Sequence, residues 1–190
     1  MRSWPLLAAC AVFALALFGR VGRAETAAAS GSDLFPQIAT VLKSPRCQNC
    51  HTATRFPRQG DDRHPHRLNV VRGLNDRGAE GLHCSTCHSD RNNPSSGVPG
   101  APHWGVAPIG QQWETLDGGA LCRRLINPKT NGGRSLAVLE THMNDDLLVQ
   151  WAWRPGRNAA GQARTTPPID QEHFHALVHA WIAGGAACPA

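Results

Sequence analysis

Two five-residue stretches carry the chemistry of this chain: CQNCH at residues 47–51 and CSTCH at residues 84–88. Each sets two thiols three positions apart and follows the second at once with an imidazole. Three chemistries use such thiol pairs: zinc binding, dithiol redox and covalent haem. Two C-x-x-C pairs can build a four-sulfur zinc site, yet zinc has no need for a histidine after each second cysteine. Dithiol redox needs one active C-x-x-C, usually between a strand and a helix. Two copies in strand-poor surroundings fit it badly. Covalent haem accounts for every position. Cysteines at i and i+3 share one side of a helical turn, within reach of the two haem vinyl groups. The histidine that follows can swing under the porphyrin plane to ligate iron, and C-x-x-C-H reads as c-type attachment. The expectation is two haem c groups, held covalently at Cys47, Cys50, Cys84 and Cys87, with His51 and His88 as proximal iron ligands.

The opposite face of each iron decides function. A second protein ligand makes an electron carrier, whereas an open position makes a site for a small molecule. Beyond the first residue the chain has a single methionine, Met143, so at most one haem can be His/Met. His64, His66, His83, His103, His142, His173, His175 and His179 are the histidines available. His66 is expected to serve the first haem, from a loop able to fold back over it. His142 is expected to serve the second, with Met143 as the alternative, since neighbours on a helix point about 100° apart. Arg55, Arg58, Arg63, Arg67, Arg72 and Arg77 could grip propionates in a fork. Trp104, Trp113, Trp151, Trp153 and Trp181 could pack on porphyrin or in the core.

Few elements are available to position these groups. The spacing of Leu34, Phe35, Ile38, Val41 and Leu42 predicts a helix capped by Ser32 or Asp33, with Pro36 in its first turn, ending near Ser44. Residues 25–33 read as a flexible lead-in. The Gly-, Asp-, Arg- and Pro-rich stretch between the motifs reads as loop, with a short element at Leu68–Val71. A long loop follows the second motif. Helices are predicted over Asp117–Ile126, over Ser135–Met143, and after Asp170, where Phe174, Leu177, Val178, Trp181 and Ile182 form one stripe ended by Gly184 and Gly185. The stretch LLVQWAWRPG stays open between helix and extended chain. The fold class is mainly α with long loops. Loops this long are uncommon in a compact domain unless something besides side chains fills the interior.

The first residues read as a cleaved signal: Arg2, then an apolar run to Phe18, then small residues, with cleavage near Ala24. That run is shorter than the roughly 20 residues a membrane span takes, so no stable span is expected after cleavage. Removing residues 1–24 takes away Arg2, Arg20 and Arg23 and leaves 16 basic and 14 acidic side chains. No basic block with interleaved aromatics points to nucleic acid. Of the six cysteines after Cys10, four sit in the motifs, leaving Cys122 and Cys188 to pair with each other, as export allows.

On VLKSPRCQNCH, CSTCH and the closing HALVHAWIAGGAACP, the chain resembles small exported dihaem c-type cytochromes. More loosely, RNNPSSGVPGAPHW, CRRLINPKTNGGRSL and LLVQWAWRPG are similar to cytochrome subunits of isoquinoline 1-oxidoreductase type. The resemblance implies a cytochrome c-like domain over residues 34–190, built around two haems and working in the periplasm. It implies electron transfer from a partner oxidoreductase, with a separate molybdenum hydroxylase as one such partner. The chain itself would then be a carrier or an electron-transfer subunit. The rival expectation is a haem enzyme or small-ligand sensor with one open axial position.

Overall fold

The computed structural model describes residues 31–190. The expected signal over 1–24, and residues 25–30 of the expected lead-in, lie outside the described residues. The described chain is mainly helical with long loops and two very short hairpins.

The first helix, α1, covers Gly31–Leu42 and buries Phe35, Ile38, Ala39, Val41 and Leu42. Residues 31–33 are therefore helical rather than lead-in, and Pro36 lies inside the helix instead of in its first turn. Tertiary contact explains the extra turn. A Cβ on Gly31 would stand 3.2 Å from the Ala187 backbone nitrogen and 3.5 Å from Trp181, so this end packs on the C-terminal segment. Proline at position 45 then opens the one-turn helix α2, Pro45–Gln48, as its missing N–H permits.

Three of the longer helices start at side-chain caps. Asp117 caps α3, Gly118–Ile126, by accepting from the Ala120 N–H. Ser135 caps α4, Leu136–Asp145, by accepting from Val138. Asp170 caps α6, Gln171–Ala183, by accepting from His173. Between them LLVQ forms the short helix α5, Leu147–Gln150, and Trp151–Trp153 continues as a tight 3-10 turn. This resolves the stretch that sequence left open. At the end of α6 the amide of Ala186 bonds the Trp181 carbonyl, and Gly185 bonds Ile182. That is a Schellman closure, and it needs Gly185 at φ 84°.

The core lies among α1, α3, α4 and α6. Phe35 meets Trp181 at 5.2 Å between ring centres, and Phe174 meets Trp153 at 5.1 Å. Leu121, Leu125, Leu139, Met143, Leu177 and Val178 complete it. The disulfide Cys122–Cys188 fastens α3 to the tail beyond α6, across 66 residues of sequence.

The region between the motifs is not plain loop. Strands β1, Arg58–Gln59, and β2, His64–Pro65, pair antiparallel. So do β3, Gly78–Ala79, and β4, Leu82–His83. Strands of two residues leave no alternation to detect. The short element expected at Leu68–Val71 is a 3-10 turn over Arg67–Asn69.

Candidate functional site

Both Cys-x-x-Cys-His stretches fold into the same turn. In the first, the amides of Cys50 and His51 reach the Cys47 carbonyl at 3.2 and 3.0 Å. In the second, those of Cys87 and His88 reach the Cys84 carbonyl at 3.2 and 2.9 Å. The supports differ: α1 and α2 lead into the first turn, and the β3–β4 hairpin leads into the second.

The histidines are held alike as well. His51 Nδ1 lies 2.7 Å from the Gln111 carbonyl, and His88 Nδ1 lies 2.7 Å from the Pro99 carbonyl. A carbonyl can only accept, so each Nδ1 carries the proton and each Nε2 keeps a free lone pair. Each imidazole also stacks on an indole. His51 lies on Trp113 at 3.3 Å and 11°, and His88 lies on Trp104 at 4.6 Å and 8°. The packing of Gly100 helps to place the Pro99 carbonyl. A Cβ there would fall 2.3 Å from the Ser89 and Arg91 carbonyl oxygens.

Burial sets the protonation of both rings. His51 is pushed down to about 3 by burial, against its bond to Gln111, with His142 and Arg72 adding to the shift. His88 is lowered by burial too, against the Pro99 carbonyl, with smaller contributions from His66 and Arg164. Both are neutral imidazoles near pH 7, the form that ligates metal. The thiols move the other way. Burial pushes Cys47 up to about 11 and Cys50 up to about 12, and it raises Cys84. All four motif cysteines are free thiols.

A cavity of about 890 Å³ opens beside the second turn, lined by Cys84, Cys87, His88, Trp104 and Trp151. His64 and His66, in and just after the β1–β2 hairpin, line it too. Cys50 lines it as well, so the two motifs adjoin. Its volume lies within the range of cofactor sites.

The two distal candidates sit the other way round from the expected assignment. The His66 ring lies 6.0 Å from that of His88, in the second motif. His142 lies near His51, in the first, and is held by Asp146 at 3.0 Å. That hydrogen bond keeps the Asp146 carboxyl below its ordinary value, against the effect of burial. Met143 is buried in the core with Leu139 and Trp113. Of the remaining histidines, His179 pairs with Glu140 at 2.7 Å on the exposed side of α6.

The arginines divide. Arg58 and Arg67 line the cavity. Arg58 and Arg63 grip Glu114 at 3.2 and 2.5 Å, and Arg72 pairs with Asp76 at 2.7 Å. Arg77 bonds the Trp104 carbonyl at 3.2 Å. Sequence reasoning missed Arg46 and Arg164, which both line the cavity. Arg46 is buried, ion-paired with Asp61 and set 5.9 Å from the Trp151 ring centre. Arg164 bonds the carbonyls of Pro155 and Gly97. Arg46 could have been noticed as the residue before Cys47; Arg164 belongs to no motif. The carbonyls of Gln111 and Pro99 carry no sequence signal, since any residue supplies one.

Among the described residues no three His, Cys, Asp or Glu side chains gather to hold a metal ion, and no helix is long and apolar enough to cross a membrane. Comparison with family models, with curated proteins and with solved structures returned no match.

Proposed function

We propose that this chain is a small dihaem c-type cytochrome that carries electrons. The observation that carries the proposal is the repeat of one geometry in two unrelated settings. Each thiol pair lies on a tight turn, and each histidine is fixed through Nδ1 to a backbone carbonyl, with Nε2 left to bind. Conserving Nε2 in this way suits a ligand to a metal that the side chains alone do not cage.

The rival chemistries find less support. A redox-active C-x-x-C needs a thiol of lowered pKa, whereas burial raises Cys47, Cys50 and Cys84. A structural zinc needs four converging donors, and no three gather among the described residues.

The residues fit a haem. Cys84, Cys87 and His88 face one cavity of suitable size, and buried Arg46 and half-buried Arg164 line it with positive charge for propionates. Each thiol would add across one vinyl group, its sulfur bonding one carbon and its hydrogen passing to the other, so no oxidant is needed. Bound haem supplies one-electron cycling of iron between ferric and ferrous. The protein's part is to keep both imidazoles neutral and oriented, and to exclude water with Trp104 and Trp113. The Cys122–Cys188 bridge supports an oxidising compartment such as the periplasm. The electron donor would be a separate oxidoreductase, a molybdenum hydroxylase being one candidate.

The test is expression through a cytochrome c maturation pathway, followed by mass and absorption measurements. Two added haems with c-type spectra are expected. Colourless protein, or a mass gain of fewer than two macrocycles, overturns the proposal.

A further inference from the structure

The dihaem proposal leaves the sixth ligands open, and the β1–β2 hairpin bears directly on one of them. We propose that His66 Nε2 is the second axial ligand of the haem attached at Cys84 and Cys87, opposite His88. The assignment rests on the haem proposal and is tested separately from it.

Distance carries it first. Imidazole nitrogens bind metals at about 2.0–2.1 Å, so two imidazoles on opposite faces of one ion have ring centres roughly 6 Å apart. The His66 and His88 rings stand 6.0 Å apart. Their planes cross at 67°, and two rings that share an axis through the metal are free to take any such angle.

Protonation carries it second. His66 Nδ1 lies 2.7 Å from the Arg67 carbonyl, the same kind of contact that His88 makes with Pro99. Each ring thus holds its proton on Nδ1 and keeps Nε2 as the lone pair. Both rings line the same cavity, together with Cys84 and Cys87.

The backbone carries it third. The amide of His66 bonds the Pro57 carbonyl at 3.0 Å, closing the hairpin just before the ligand. Left-handed residues flank the segment: Arg63 at φ 57°, Leu68 at φ 64° and Asn69 at φ 51°. Such conformations are uphill for residues with a Cβ and persist only where surrounding structure imposes them. The hairpin is also anchored on the first motif. Arg58 N–H bonds the Asn49 carbonyl at 2.9 Å, and Asn49 Nδ2 bonds the Gly60 carbonyl at 2.9 Å. Asn49 lies between Cys47 and Cys50. The strap that delivers His66 to the second haem therefore grows from the turn that holds the first.

His64 is the rival ligand. It lines the same cavity, its Nδ1 lies 2.6 Å from Asp62, and its Nε2 is buried without a partner. No ring contact joins it to His88, whereas one joins His66.

The experiment uses matured full-length protein, with mass confirming two haems in every variant. Ferric electron paramagnetic resonance and absorption spectra then read the ligands. His66→Ala should turn one haem of the two high-spin, and added imidazole should restore the low-spin signal. His66→Met should leave that haem low-spin but with a histidine–methionine spectrum and a raised potential, and it decides the matter if the alanine variant does not accumulate. His64→Ala should leave both haems as in wild type. Two unchanged low-spin haems in both His66 variants, or a high-spin haem produced by His64→Ala, overturns the assignment while leaving two attached haems intact. A loss of haem from the wild type would instead remove the proposal beneath it.

Discussion

The turn at Cys47–His51 grows out of the helical core, while the turn at Cys84–His88 hangs from a two-residue hairpin among loops. Their backbones match to within a few tenths of an ångström in hydrogen-bond length. Their surroundings do not. Behind the first lie Thr52, fully buried, and Trp113, at 5 % exposure and continuous with the α1–α3–α4–α6 packing. Behind the second lie half-buried Trp104 and Trp151, and Cys87 is exposed. A five-residue motif specifies its own turn because its hydrogen bonds are local. It does not specify what packs on it, because those partners come from 11 to 60 residues away, as Pro99 and Gln111 do. The first site should therefore share the stability of the bundle, and the second should answer to its own loops.

The sharpest way to break this contrast is to remove the two stacking indoles. Trp113→Ala should lower global stability by up to ~5 kcal/mol, the cost of emptying a buried tryptophan site. Trp104→Ala should cost less than half as much. Thermal and urea melts followed by far-ultraviolet circular dichroism compare them, and equal losses would erase the distinction between core and loop sites.

Opening the Cys122–Cys188 bridge with a double serine substitution should cost about 4 kcal/mol on the chain-entropy account of a 66-residue loop. The loss should appear in the helical melt. The environment of His88, read by nuclear magnetic resonance, should stay unchanged, because the bridge joins elements of the bundle only.

Glu114 tests the link between the first turn and the hairpin. Burial pushes its carboxyl up, but the Ala53 N–H, the Thr52 hydroxyl, Arg58 and Arg63 outweigh it and hold the group below its ordinary value of 4.5. A carboxyl so depressed stabilises the fold above its unfolded pKa, and the contribution fades as pH falls through the folded value. Glu114→Gln should thus cost about 1–3 kcal/mol at pH 7. The gap between variant and wild type should close in acid, which urea titrations from pH 7 down to below the carboxylate range would follow.

The most local effect belongs to Gly100→Ala. The added methyl would press on the Ser89 and Arg91 carbonyls at 2.3 Å and shift the Pro99 carbonyl away from His88. Both are backbone oxygens that cannot swing aside as a side chain would, so we expect about 3 kcal/mol, at the high end for overpacking. The His88 resonances should move while those of His51 hold still. Movement at both would mean that the two sites share more than the hairpin.

Much of the bundle was legible in the sequence because its signals are local. Asp117, Ser135 and Asp170 stand where caps should stand, and the Phe174–Ile182 stripe points one face inward. Cys122 and Cys188 were left as partners once the motifs had claimed the other four cysteines. The first helix began earlier than its apolar spacing shows, because Gly31 is held by contact with Trp181 and Ala187, which its neighbours in sequence do not announce. The hairpins escaped because two-residue strands have no period.

The amino-acid order by itself determined the two turns, their thiols and their imidazoles, since each closes on its own amides within five residues. Only the tertiary structure decided that Gln111 and Pro99 orient those imidazoles, that Arg46 and Arg164 line the cavity, and that the His66 ring stands 6.0 Å from that of His88. The physical reason is reach. A backbone turn is fixed by bonds between near neighbours, whereas the group opposite an imidazole is chosen by how the β1–β2 hairpin and α4 pack against the rest of the chain.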